Sequence, residues 1–158
     1  MQSLPITVDR YFFTRFCVES NPNFAQSENQ GIKANADSKL QISKAPNSPD
    51  VYVAEQQVKI DANSDTSIPY SIDVECIGFF KVEDSSLEEE ERNRGVTILA
   101  HTVLYASVRD AVLAATARQP WGPFSIGISI LGPHKTAAIS PSTTKHTAKN
   151  SRKKTSHK

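Results

Sequence analysis

With 158 residues, 38% of them hydrophobic and 8% aromatic, the chain has material for one modest core and not two. Its net charge of +1 conceals a division: residues 1–133 hold 11 Lys/Arg against 17 Asp/Glu, whereas residues 134–158 hold 7 Lys/Arg and no acid. An acidic body disfavours a nucleic-acid-binding domain, and no apolar run approaches the roughly 20 residues of a membrane span. The start, Met1-Gln2-Ser3-Leu4-Pro5, lacks the basic-then-apolar layout of a secretory signal, so a cytoplasmic protein without membrane insertion is expected.

Residues Ile6 to Glu19 predict a first strand, with Ile6, Val8, Phe12, Phe16 and Val18 on one parity. The other parity is mixed (Tyr11, Phe13, Arg15, Cys17), so both of its faces are placed to meet protein. From Ser20 to Asp50 the composition falls to Asn, Ser, Gln, Lys, Pro and Gly with few apolar residues, which predicts a long crossover loop. Val51 to Asp61 resumes strand character, Ala62-Asn63-Ser64-Asp65 supplies a turn, and a partner strand begins near Ile68, together a hairpin. In the second arm Ile68, Tyr70, Ile72, Val74 and Cys76 alternate with polar residues, so one face is core and the other meets water or a partner.

Ser86 and Glu89 have capping-box spacing and predict a short acidic helix that Gly95 ends. A longer helix follows from about Thr97 to Arg118, with Leu104, Val108, Ala111, Val112 and Ala115 on one stripe. Pro120 and Pro123 stop it, and Phe124, Ile126, Ile128 and Ile130 alternate as a last strand. Beyond Gly132-Pro133 no periodicity survives. Strands grouped ahead of a helix give an α+β class, an antiparallel sheet with a helix on one side, over residues 1–132, and a basic tail over 133–158.

Chemistry-bearing motifs are absent: there is no GxSxG, P-loop, GxGxxG or HExxH. His101 is the single histidine before the tail, and the carboxylates of Glu88 to Glu91 point in different directions on a helix and do not converge. Cys17 and Cys76 lie inside strand-like runs with no partner at metal-ligand spacing, as expected of buried reduced thiols. No enzyme, no cofactor and no metal are therefore expected.

From residue 103 a resemblance emerges. The run Val103-Leu104-Tyr105-Ala106-Ser107-Val108-Arg109-Asp110, then Thr116-Ala117-Arg118 and Pro120-Trp121, is similar to the leucine-aromatic-proline-tyrosine-x-arginine-glutamate helix of the SecB protein-export chaperones, with Ala106 at the proline position. Val18-Glu19-Ser20-Asn21-Pro22-Asn23 resembles the end of that family's first strand, Pro49-Asp50-Val51-Tyr52-Val53 its second-strand entry, and Tyr70 to Val82 with Gly78-Phe79-Phe80 its third strand. The resemblance runs over residues 5–131 and implies a four-stranded antiparallel sheet carrying a long helix, assembled as a dimer of dimers (a homotetramer). It implies ATP-independent holding of unfolded preproteins for the export ATPase of the translocase. Client contacts are expected at Val51, Val53, Phe79, Phe80, Leu104, Tyr105 and Trp121, and ATPase contacts at Glu19 and Asp73. Two departures stand out: Arg15 occupies a position where an acid belongs, and the basic tail replaces the family's closing helix. Two other functions fit the same residues, a SecB-like chaperone dedicated to one client such as an antitoxin, and a polyanion-binding protein acting through its tail.

Overall fold

The computed structural model describes residues 5–25, 34–63, 65–84 and 86–129. Among these described residues four strands and one helix make two layers: β1 (Ile6–Ser20), β2 (Asp37–Ala45), β3 (Ser48–Ile60), β4 (Tyr70–Val82) and α1 (Glu89–Thr116). The sheet is antiparallel throughout, in the order β1-β4-β3-β2, so β1 and β2 form its edges. The anticipated α+β class and hairpin are both present, the hairpin as β3 and β4, with Ile60 opposite Ile72 and Val51 opposite Lys81.

Alternation in β3 and β4 explains the layer beneath the helix. Tyr52, Ala54, Val58 and Ile60 point the same way as Tyr70, Ile72, Val74, Cys76 and Phe80, and all are buried. Helix α1 supplies Val96, Ala100, Leu104, Val108 and Val112 to the same core. Helix and sheet approach tightly at Gly78, where a Cβ would lie 2.9 Å from Cδ2 of Leu104 and 2.8 Å from Cε2 of Phe80. By length and composition α1 is apolar enough to cross a bilayer, contrary to expectation, but its apolar stripe is spent on the sheet.

Four elements differ from expectation. Much of the supposed crossover loop is strand β2, which pairs with β3 from Asp37–Lys59 to Lys44–Tyr52. The two helices are one, because Gly95 is buried mid-helix and packing there outweighs its cost of about 1 kcal/mol. Ser86 does not cap it: its amide and hydroxyl both donate to Asp84 Oδ1, at 2.8 and 2.6 Å, and the N-cap position is Glu88. The expected last strand pairs with nothing among the described residues, and Gly122 to Ser129 instead run extended against the helix. Ile130, the 132/133 boundary and the basic tail lie outside the described residues.

Asn21 ties the far end of the molecule together. Its amide nitrogen lies 3.3, 3.1 and 2.8 Å from the carbonyls of Ala62, Asp65 and Ile68, its main-chain N–H donates to Pro69 O, and its carbonyl accepts from Trp121 Nε1 at 3.0 Å. Asn21→Asp keeps the shape but turns the donor into an acceptor facing three carbonyls. Urea unfolding is expected to show a loss of about 2–3 kcal/mol; an unchanged midpoint would mean that water replaces the amide without cost.

Candidate functional site

The surface that stands out is strand β1. Among the described residues nothing pairs with the outer side of this 15-residue edge strand, and proteins ordinarily blunt such edges with charge, proline or a covering element. Here the middle of the edge is aromatic. Tyr11 is 46% exposed, Phe12 45%, Phe13 37% and Phe16 43%, half of the large apolar side chains left exposed among the described residues. The opposite edge, β2, carries Lys39 and Lys44 and buries Ile42, so it is protected in the usual way.

Two bulges determine which aromatic faces which layer. Pairing with β4 skips Asp9 and Thr14, and each skipped residue reverses the parity that faces the helix. Ile6 and Val8, then Tyr11 and Phe13, then Phe16 and Val18 therefore lie on the helix side, opposite Val82, Phe80, Gly78, Cys76, Val74 and Ile72. Phe12 falls on the outer face, which corrects the expected grouping with Ile6, Val8, Phe16 and Val18. Ring contacts agree: Phe13 and Phe16 meet edge to face at 5.7 Å, and Phe12 lies 6.2 Å from Phe79 with the Arg10 guanidinium 4.7 Å above the Phe79 ring.

The expected client residues divide into three groups. Val51, Val53 and Phe79 share the outer face, where Val53 opposes Phe79 on one side and Phe12, opposite Ile77, stands against Phe79 on the other. Phe80, Leu104 and Tyr105 do not reach the surface: Phe80 and Leu104 are fully buried between the layers and Tyr105 nearly so. Those three are corrected to core residues, since the helix and sheet close over them. Trp121 sits on the turn after α1, half exposed, with its ring 5.4 Å from Phe24. What pattern reasoning passed over is the helix-side aromatic row of β1, although the mixed parity of that strand was its sign.

The acidic pair is present but not free. Glu19 and Asp73 share the outer face on adjacent strands, yet Asp73 is bonded by Arg15 at 2.9 Å and approached by Lys59 at 3.5 Å. Partial burial works against its charge, but the hydrogen bond from Arg15 and the charge of Lys59 outweigh that and hold its carboxyl below the usual range. A carboxylate answered by two cations offers little to a basic partner. Cys76 is a buried thiol pushed up to about 11 by desolvation, as expected of an inert core cysteine, whereas Cys17 is exposed on the outer face and not buried as predicted. Among the described residues no group of three His, Cys, Asp or Glu side chains could hold a metal.

A two-layer α+β domain with this strand order and a single long helix is defined by its sheet, and that fold is SecB-like. The solved SecB-like chaperone of Mycobacterium tuberculosis, in complex with a ChAD peptide from the HigA1 antitoxin, superposes with a TM-score of 0.60 over 81% of this chain and 93% of its own, at 18% identity. A protein of unknown function from Streptococcus agalactiae superposes with a TM-score of 0.48 over 82% of this chain and all of its own, at 14% identity. No family model and no curated protein matches the chain by sequence.

Proposed function

We propose that this protein is an ATP-independent chaperone that holds unfolded or partly folded polypeptide on exposed apolar surface, working as a homo-oligomer in the cytoplasm. One observation carries it: within a SecB-like fold, an edge strand that no described residue covers displays aromatic side chains on both faces. The helix-side row Tyr11, Phe13 and Phe16, with the open edge of β1, is the seam on which a second copy pairs, toward a dimer of dimers. The outer strip of Val51, Val53, Phe79, Phe12 and Ile77 is the client surface. At about 25 cal/mol per Å² such a strip yields several kcal/mol gross, offset in part by ordering the client, so repetition around an oligomer supplies the useful avidity.

The neutralised Asp73 favours a client-dedicated chaperone over one that delivers preproteins to the export ATPase, because the acid that would receive a basic ATPase segment is already paired. The mycobacterial neighbour holds an antitoxin peptide, which supports the same reading. Light scattering of an unfolded, aggregating client tests the proposal. Full-length protein at a few-fold excess is expected to suppress the signal, and Phe79→Asp with Val53→Asp to abolish suppression; aggregation unaffected by the intact protein rules the holdase out. Retention of the export ATPase that Asp73→Lys weakens would instead restore the export role, and salt-sensitive RNA binding lost on deleting residues 134–158 would assign the tail a polyanion.

A further inference from the structure

Residues 122–129 are bound to the body in an unusual manner. The segment makes no strand pairing among the described residues, and four of the hydrogen bonds that anchor it run between a side chain of the body and its main chain. Tyr70 Oη donates to Gly122 O at 2.8 Å, Arg109 Nε to Ile126 O at 2.9 Å and Tyr105 Oη to Gly127 O at 2.8 Å, while the Phe124 N–H donates to Thr116 Oγ1 at 2.9 Å. Phe124 and Ile126 are buried, Phe124 with its ring 5.9 Å from that of Tyr70, while Ser125 between them and Gly127 after them are exposed. His101, stacked on Tyr105 at 5.3 Å and kept below its ordinary pKa by burial, places Nε2 3.3 Å from Ser129 Oγ. The inward alternation ends at Ile128, which is 79% exposed.

Carbonyl oxygens belong to every residue, so donors aimed at them bind an extended chain of any sequence, and two buried positions separated by one residue select only for apolar side chains at that spacing. An unfolded polypeptide supplies both. We propose that the channel along α1 lined by Tyr70, Tyr105, Arg109 and Thr116 is a second polypeptide-binding groove, occupied in cis by residues 122–129, and that an extended client segment with apolar residues two apart takes their place. This inference rests on the client-binding function proposed above and adds a threshold to it. A strap joined to the helix by a few residues has a high effective concentration, so a client must outcompete it, and its apparent affinity is lowered by the fraction of time the groove is covered.

The sign of the effect makes the test decisive. A fluorescently labelled synthetic peptide of residues 121–129 is titrated into the full chain and into Phe124→Ser/Ile126→Ser. The peptide is expected to bind the variant at least tenfold more tightly than the intact chain, and adding Tyr105→Phe to the variant to reverse most of the gain. Equal or weaker binding by a variant that retains its helical circular dichroism overturns the proposal. Hydrogen exchange on the unaltered protein gives an independent measure: excess unfolded client is expected to accelerate exchange at the Phe124 amide, which donates to Thr116 Oγ1 while the strap is seated. Client captured with that amide still protected refutes the strap and leaves the holdase standing. Failure to capture client, together with tight peptide binding by the variant, refutes the holdase and leaves the groove.

Discussion

Leu104→Ala is expected to lower the unfolding free energy by about 3–5 kcal/mol, at the upper end of what a buried leucine costs, read from the shift of the urea midpoint at constant slope. The side chain is fully buried where α1 packs tightly over Gly78 of the sheet, and the walls of the cavity left behind cannot easily move inward. One wall is β4, which carries the fully buried Phe80 and is hydrogen-bonded on both sides by β1 and β3. Gly78 supplies a second arm. Its missing side chain is what lets Leu104 Cδ2 come so near, so Gly78→Ala alone overpacks the contact and costs about 1–3 kcal/mol. In Gly78→Ala/Leu104→Ala the new methyl enters space the leucine has vacated, and the double variant is expected to lose at least 1 kcal/mol less than the two single losses together. Strict additivity would show that the Phe80 ring, 2.8 Å from the added Cβ, and not Leu104 sets the cost of Gly78→Ala.

Strands β3 and β4 were legible because each buries one face only, and strict alternation from Tyr52 to Ile60 and from Tyr70 to Val82 is what one buried face demands. The long helix was legible for the same reason at a different period. Strand β2 was not, because an edge strand of sequence Asp37-Ser38-Lys39-Leu40-Gln41-Ile42-Ser43-Lys44-Ala45 needs only Leu40 and Ile42 inside, too few to separate it from a polar loop. The opposite error at Phe124 and Ile126 has a related cause: an extended segment lying on a helix alternates as a strand does, though it pairs with none. Buried Gly95 shows tertiary contact overriding a local stop signal. Of the five residues in the proposed client strip, Val51, Val53 and Phe79 were visible, but no pattern could place Phe12 beside them, since the bulges at Asp9 and Thr14 that turn it outward leave no mark in hydrophobicity.

Phe13→Asp with Phe16→Asp is expected to leave each subunit folded and take the assembly apart. Both rings are already substantially exposed within one subunit, so their loss should change its own stability by less than about 1 kcal/mol. Across a seam the account differs. Each phenylalanine that becomes buried against a second copy contributes about 1.5–3 kcal/mol, and in a two-fold pairing every substitution counts twice. Even with most of that sum offset by ordering and desolvation, the subunit dissociation constant is expected to rise at least 1000-fold, about 4 kcal/mol. The two carboxylates also charge the edge in the manner by which natural edge strands repel pairing. Sedimentation at tens of micromolar should show the intact chain as an oligomer and the variant as a monomer. Phe12→Asp, on the outer face beside Phe79, should keep the oligomer and weaken client capture, which separates seam from client surface. If the intact chain sediments as a monomer, or the double variant keeps its mass, the helix-side aromatics of β1 are not a seam, and avidity must be sought elsewhere.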